Sequence, residues 1–175
     1  MKIIFNILIL AILTQGCSEE NRDKKIMSEF EKFQTELKTR LQAAIKNEGF
    51  GGAIEVCKQA SPAAEKEFSS KGMVIRRISD KPRNPDHMPD GFEMTVLKIW
   101  QQKIAKGEKP AVFSSETEEG YRVMKPIYVQ GVCLQCHGEK LNPDAGKKIA
   151  ELYPADKAVG YKEGDLRGAF SAILK

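Results

Sequence analysis

Two cysteines three positions apart, with a histidine directly after the second, are the residues of this chain best spaced to do chemistry: Cys133-Leu134-Gln135-Cys136-His137. Thiols at that separation can add across the two vinyl groups of a haem, and the adjoining imidazole then reaches the iron from the same side. The segment therefore predicts one covalent haem c held by Cys133 and Cys136, with His137 as the proximal iron ligand. Other chemistries use paired cysteines. A redox Cys-x-x-Cys or a structural disulfide has no need of the histidine, and a closed zinc site needs a fourth ligand, for which Cys57 or His87 is available.

What fills the sixth coordination position of such an iron decides the function. The candidates are Cys57, His87, one of Met73, Met88, Met94 and Met124, or nothing, and spacing does not choose among them. A methionine in a core is usually packing, and His87 stands in a proline-rich loop where a solvated role is the ordinary one. Cys57 is the thiol left over once the other cysteines are assigned, and it could equally be a small buried hydrophobe.

The start of the chain supports covalent haem independently, because haem of this type is attached on the far side of a membrane. Met1-Lys2 gives a positive start, Ile3 to Leu13 is almost wholly apolar, and Thr14-Gln15-Gly16-Cys17 precedes an abrupt change to Ser18-Glu19-Glu20. That is the pattern of an export signal, and its apolar core is shorter than the roughly 20 residues of a spanning helix. Cys17 directly after Gly16 resembles the lipidated cysteine of bacterial lipoproteins, although Leu13 lies four positions before the cysteine where the family has it three before. The reading is a signal peptide over 1–16, a lipid-anchor cysteine and charged tether over 17–25, and a haem domain over 26–175. It places the protein outside the cytoplasm, in the periplasm or on an outer surface, held to a membrane by its lipid. It also implies passage through the cytochrome c maturation machinery.

Around these residues the chain reads as one α+β domain. At 175 residues it is long enough for one real core, and 41% hydrophobic with 30% charged residues is globular composition. The net charge of +4 is spread along the chain, which gives no nucleic-acid footprint. Ile26, Phe30, Phe33, Leu37, Leu41 and Ile45 recur at helical spacing until Asn47 to Gly52, and a short helix is expected over 51–59. Ser61-Pro62 offers the cap and first-turn proline of a third helix. Met73 to Ser79 reads as a strand, Lys81 to Gly91 as a loop, and Asp90 with Glu93 as the capping box of a helix reaching Gly107. Strands are expected over 111–115 and 121–129, with Pro126 marking an edge or bulge, then a helix from Asn142-Pro143 to Leu152 and a last strand over 166–174.

Several blocks carry a resemblance. Gly52-Ala53-Ile54-Glu55-Val56-Cys57, the strand Arg76-Arg77-Ile78-Ser79 leading into Arg83-Asn84-Pro85 and Pro89-Asp90-Gly91-Phe92-Glu93, the haem motif, and the tail from Tyr153-Pro154 through Ala158-Val159-Gly160-Tyr161 to Leu166-Arg167-Gly168-Ala169 stand in this order. Together they resemble the single-haem proteins with a PAS-like fold and His/Cys axial ligation, known best from a cyanobacterial-type cytochrome and long catalogued as a domain of unknown function. The resemblance spans residues 27 to 175. It implies a PAS-like domain with N-terminal helices packed on an antiparallel sheet, His137 as proximal ligand and Cys57 opposite, and the family pattern does not demand histidine at His87.

A thiolate ligand favours ferric iron and a low potential. The expected function is electron transfer, or redox or gas sensing, with a redox partner protein. The alternative is a haem enzyme, peroxidase- or reductase-like, with an open iron site. The chain offers one histidine outside the motif and no acid–base pair that stands out, which favours the first. Arg76, Arg77, Arg83 and Lys125 are candidates for the haem propionates by charge alone, and each serves equally well as a surface cation. Oligomeric state is not legible.

Overall fold

The computed structural model describes residues 2–69 and 72–175, with side chains from residue 19 onward. The expectations for the signal peptide over 1–16 and for Cys17 therefore fall outside the described side chains. Among the described residues no helix is long and apolar enough to cross a membrane.

A helix α1 (Lys2–Phe68) is interrupted at Gly49, where φ is 69° and ψ −172°. Only a residue without a side chain adopts that backbone cheaply, so the sequence sets the break. The first rod lays Ile26, Phe30 and Phe33, all fully buried, on the sheet, as its periodicity predicted. Beyond the break the two further helices expected are one rod. Pro62 lies inside the helix, and the Ser61 hydroxyl caps nothing, being buried without a partner. A proline in a helix forfeits one hydrogen bond and crowds the preceding turn, and here the rod keeps going because Ala60, Ser61 and Ala64 are buried.

The sheet is antiparallel, in the order β1-β4-β3-β2, from β1 (Met73–Ile78), β2 (Phe113–Thr117), β3 (Gly120–Tyr128) and β4 (Leu166–Leu174). β2 begins two residues later than expected because its ladder with β3 runs only from Phe113↔Met124 to Thr117↔Gly120. Pro126 lies past the end of that ladder, where β3 has β4 alone as neighbour, and the register slips beside it between Ile127 and Tyr128. Proline's missing donor thus falls where no strand asks for it.

Side-chain alternation divides the core in two. Ile75, Val123, Phe170 and Ala172 meet α1, while Ile78, Met124 and Ala169 meet Val96, Leu97 and Trp100 of α2 (Gly91–Ala105). The predicted capping box of α2 is present, with Asp90 accepting from the Glu93 N–H at 2.8 Å and Glu93 accepting from the Asp90 N–H at 2.9 Å. A third, smaller cluster joins Ile54 of α1 to Ala145 and Ile149 of α4 (Pro143–Leu152), and Cys136 packs against it. As predicted, Asn142 caps α4, accepting from the N–H groups of Asp144 and Ala145.

Candidate functional site

A cleft opens where the second rod of α1 meets the ends of β1, β3 and β4, the loop before α2 and the haem motif. It encloses about 1230 Å³, counted out to the solvent at its mouth. The fold brings Cys57, Cys133, Cys136 and His137 to this one space. Much of the remaining wall is apolar, with Leu41, Ile45, Phe50, Ile54, Ile127 and Val129.

The motif itself is a 3-10 turn (Gly131–Cys133) running into a single helical turn, α3 (Leu134–His137). It ends at Gly138, where a β-carbon would stand 2.7 Å from the Leu134 carbonyl oxygen, so no larger residue fits behind the histidine without a shift. The chain then comes back to the motif. Tyr161 donates its N–H to the His137 carbonyl at 2.9 Å, and the Gly160 N–H reaches Gly138 at 3.1 Å. This return places the Ala158 carbonyl 2.7 Å from Nδ1 of His137. A carbonyl only accepts, so Nδ1 carries the hydrogen and Nε2 keeps its lone pair free. Burial, then the Arg167 and Arg83 cations, hold the imidazole's pKa well below its ordinary range. A neutral ring with one fixed donor is the form that ligates a metal.

Arg83 fastens the return segment to the motif. Its guanidinium donates to the Cys136 carbonyl at 2.6 Å and to both oxygens of Asp156 at 3.1 and 3.3 Å, in a pair whose side chains are only 12% and 8% exposed. Its positive charge is thereby committed.

Cys57, Cys133 and Cys136 are all free thiols. Burial pushes the Cys57 thiol up in pKa while Arg77 and Arg83 pull it down less strongly, and burial likewise raises Cys136. A catalytic redox thiol is one with a depressed pKa, and burial moves Cys57 and Cys136 the other way. Among the described residues no three His, Cys, Asp or Glu side chains are gathered as a metal cage.

The candidate iron ligands separate by position. Among the described residues no methionine lines the cleft: Met73 and Met124 are core residues, Met88 is exposed and Met94 lies on α2. His87 does line it, contrary to a solvated role, because the Ser79 N–H holds its carbonyl at 3.0 Å and Glu65 lies 3.0 Å from its Nε2. A carboxylate thus stands beside Nε2, which makes no hydrogen bond among the described residues, and Glu65, distant in sequence, gave no signal of it. Cys57 lines the cleft with no hydrogen-bond partner among the described residues. Another lining residue that sequence reasoning missed is Arg167, whose signal was the glycine after it inside a strand.

The donor set fits a covalently held haem: two free cysteines at the required spacing, an imidazole presenting Nε2, and a third thiol in the same apolar-walled space. Comparison with known proteins gives the architecture a kinship. No curated protein sequence matches the chain. Among solved structures, the crystal structure of the cyanobacterial heme-protein Tll0287 matches with a TM-score of 0.67 at 24% identity, over 86% of this chain and 92% of that one. This shows the fold, an α+β, PAS-like domain with N-terminal helices packed against an antiparallel sheet, as the sequence led us to expect. The Tll0287-like family model matches residues 17–174, a span that takes in every strand and every residue of the cleft, and the chain belongs to that family.

Proposed function

We propose that the chain is an exported c-type cytochrome working in electron transfer or in redox or gas sensing. Cys133 and Cys136 hold one haem c, and His137 and Cys57 are its axial ligands. The observation that carries this reading is the convergence of Cys57, Cys133, Cys136 and a pinned, neutral His137 on one apolar-walled cleft. Kinship with a protein whose crystal structure is titled a heme-protein adds support.

When bound, the haem supplies an iron that accepts and releases one electron. The chain supplies the rest. The Ala158 carbonyl orients the His137 ring and raises its basicity. Cys57 as a thiolate adds negative charge that favours the oxidised state, so the potential is low beside that of His/Met cytochromes. Burial keeps water away and strengthens both effects.

The test combines intact mass with optical spectra of the full chain matured in a host competent for cytochrome c assembly. Added haem mass and a low-spin, thiolate-type ferric spectrum are expected, with Cys57→Ser changing that spectrum and raising the potential. Colourless protein of bare polypeptide and acyl mass overturns the haem. An unchanged Cys57→Ser spectrum removes Cys57 from the iron.

One observation favours a second reading, a haem enzyme: His87 lines the cleft and Glu65 stands 3.0 Å behind its Nε2, a pair able to exchange a proton with a ligand in that space. A high-spin ferric spectrum with peroxide turnover, lost in His87→Gln, would put this reading first.

Export, lipidation at Cys17, and an electron-exchange partner outside the cytoplasm complete the proposal, because haem c is assembled beyond the membrane and the module needs a partner to act on.

A further inference from the structure

The wall of the cleft carries four cations, Lys58, Arg77, Arg83 and Arg167, and among the described residues that line it there is no aspartate or glutamate. A buried cation needs a counter-charge or hydrogen-bond acceptors. Arg83 has them in Asp156 and two carbonyls, and Lys58 leans over the Tyr153 ring at 5.7 Å. Arg167 leans likewise over the Tyr161 ring at 5.4 Å, but neither it nor Arg77 has an anionic acceptor for its guanidinium.

Arg77 lies on the face of β1 that meets α1, opposite Phe170 in register. Its guanidinium makes no hydrogen bond or ion pair among the described residues. Glu65, a carboxylate whose charge it feels, accepts the Arg77 backbone N–H at 3.1 Å and stands 3.0 Å from Nε2 of His87, without reaching the guanidinium. Arg167 is the extra residue of the bulge in β4, since Ile127 pairs with Gly168 and Tyr128 with Leu166. A bulge re-aims a side chain, and here it turns Arg167 into the cleft. One guanidinium nitrogen is used, Nη1, on the Ser79 hydroxyl at 2.8 Å and the Lys81 carbonyl at 3.3 Å, while Nε is buried with no partner. Arg167 feels like charge from Arg77 and Arg83, and Arg77 feels it from Arg83. Two under-satisfied guanidinium groups on adjacent strands call for two anionic acceptors, in planar geometry that suits carboxylates.

We propose that Arg77 and Arg167 form the subsite that takes the two propionate carboxylates of the haem, an assignment that rests on the haem reading above. The other candidates by charge are committed elsewhere. Arg76 donates to the Met88 and Asp86 carbonyls, and Lys125 reaches Gln34 at the surface.

The experiment uses the haem-loaded full chain and reads the propionate-bending bands by resonance Raman, with intact mass confirming attachment and a redox titration alongside. Arg77→Gln and Arg167→Gln shift the bands and lower the midpoint potential. Arg77→Lys and Arg167→Lys keep the potential near wild type but still shift the bands, because an ammonium lacks the two-pronged fork. Arg76→Gln leaves them unmoved. Haem attached by mass with unchanged bands in both Gln variants overturns the subsite, even if the potential falls, since a nearby charge alone moves the potential. Where a Gln variant fails to mature, unchanged bands in its Lys counterpart overturn it equally. Wild-type protein without haem mass is a different failure, that of the haem reading itself.

Discussion

Arg83 shows how much one side chain can do without touching the chemistry. From the loop before α2 it ties the motif carbonyl at Cys136 to Asp156, and Asp156 in turn accepts the Ala158 N–H at 2.9 Å, so the carbonyl that orients His137 is fixed at one remove. The sequence named Arg83 for its charge and could not show that the charge is consumed, because its partner lies 73 residues further on. Removing one member of a buried ion pair costs roughly 3–5 kcal/mol. Asp156 keeps one backbone donor, so Arg83→Gln is expected at the lower end, about 3 kcal/mol, read from urea denaturation. The variant that still binds haem should show a broadened optical band, as His137 loses its single orientation. Asp156→Asn, which keeps the Ala158 contact and removes the buried charge, should cost less.

At the scale of elements, what local chemistry dictates was legible. The capping residues Asp90 and Asn142, the stripe of Ile26, Phe30 and Phe33, and the break near Gly49 were all readable because each is settled within a few residues. Ser61-Pro62 misled because the same pair that opens a helix can lie inside one when tertiary burial holds the rod together. The start of β2 and the Arg167 bulge depend on ladders with distant partners, and no window of sequence contains them.

Two predictions follow from the legible points. No atom lies within 4 Å of a β-carbon built on Gly49, so Gly49→Ala meets only the backbone penalty of its positive φ with ψ at −172°, roughly 1–3 kcal/mol of unfolding free energy read from urea denaturation. Because the kink sets the direction of the rod bearing Cys57, the ferric spectrum should change as well. Asp90→Ala removes a cap worth about 1 kcal/mol. Burial raises the Asp90 pKa, but the Glu93 N–H and Arg122 outweigh it and hold the carboxyl below its ordinary 3.8. A depressed pKa adds stability above the unfolded value and loses it as pH falls through the folded one. The gap between wild type and Asp90→Ala should therefore be full at neutral pH and narrow on acidification below about pH 4.

For the whole molecule, the first contact between the N-terminal part of α1 and the sheet bears on how the domain is held. Arg22 and Asp23 stand where the sequence suggested a charged tether, yet both belong to α1 and engage the sheet. Asp23 accepts from the Tyr121 hydroxyl at 2.7 Å and from Ser114 at 3.2 Å, and Arg22 pairs with Glu116 at 2.5 Å while lying 4.0 Å over the Tyr121 ring. If Cys17 is lipidated, only the few residues before Arg22 separate the anchor from the first contact with the sheet, and at about 3.5 Å per residue they span less than about 25 Å. A domain so held would stay close to the bilayer, and a redox partner of the kind proposed above would have to approach along the surface. Two variants separate the parts of this argument. Cys17→Ser should move the protein from the membrane to the soluble fraction with its haem spectrum unchanged. Asp23→Ala should leave it on the membrane, lower the unfolding free energy by about 1–2 kcal/mol because the buried Tyr121 hydroxyl loses its acceptor, and loosen the contact of this end of α1 with the sheet. Electron exchange with a membrane-bound partner should then change in Asp23→Ala while exchange with a small soluble donor does not. Equal rates with both donors in wild type and variant would show that the docked segment has no part in orienting the domain.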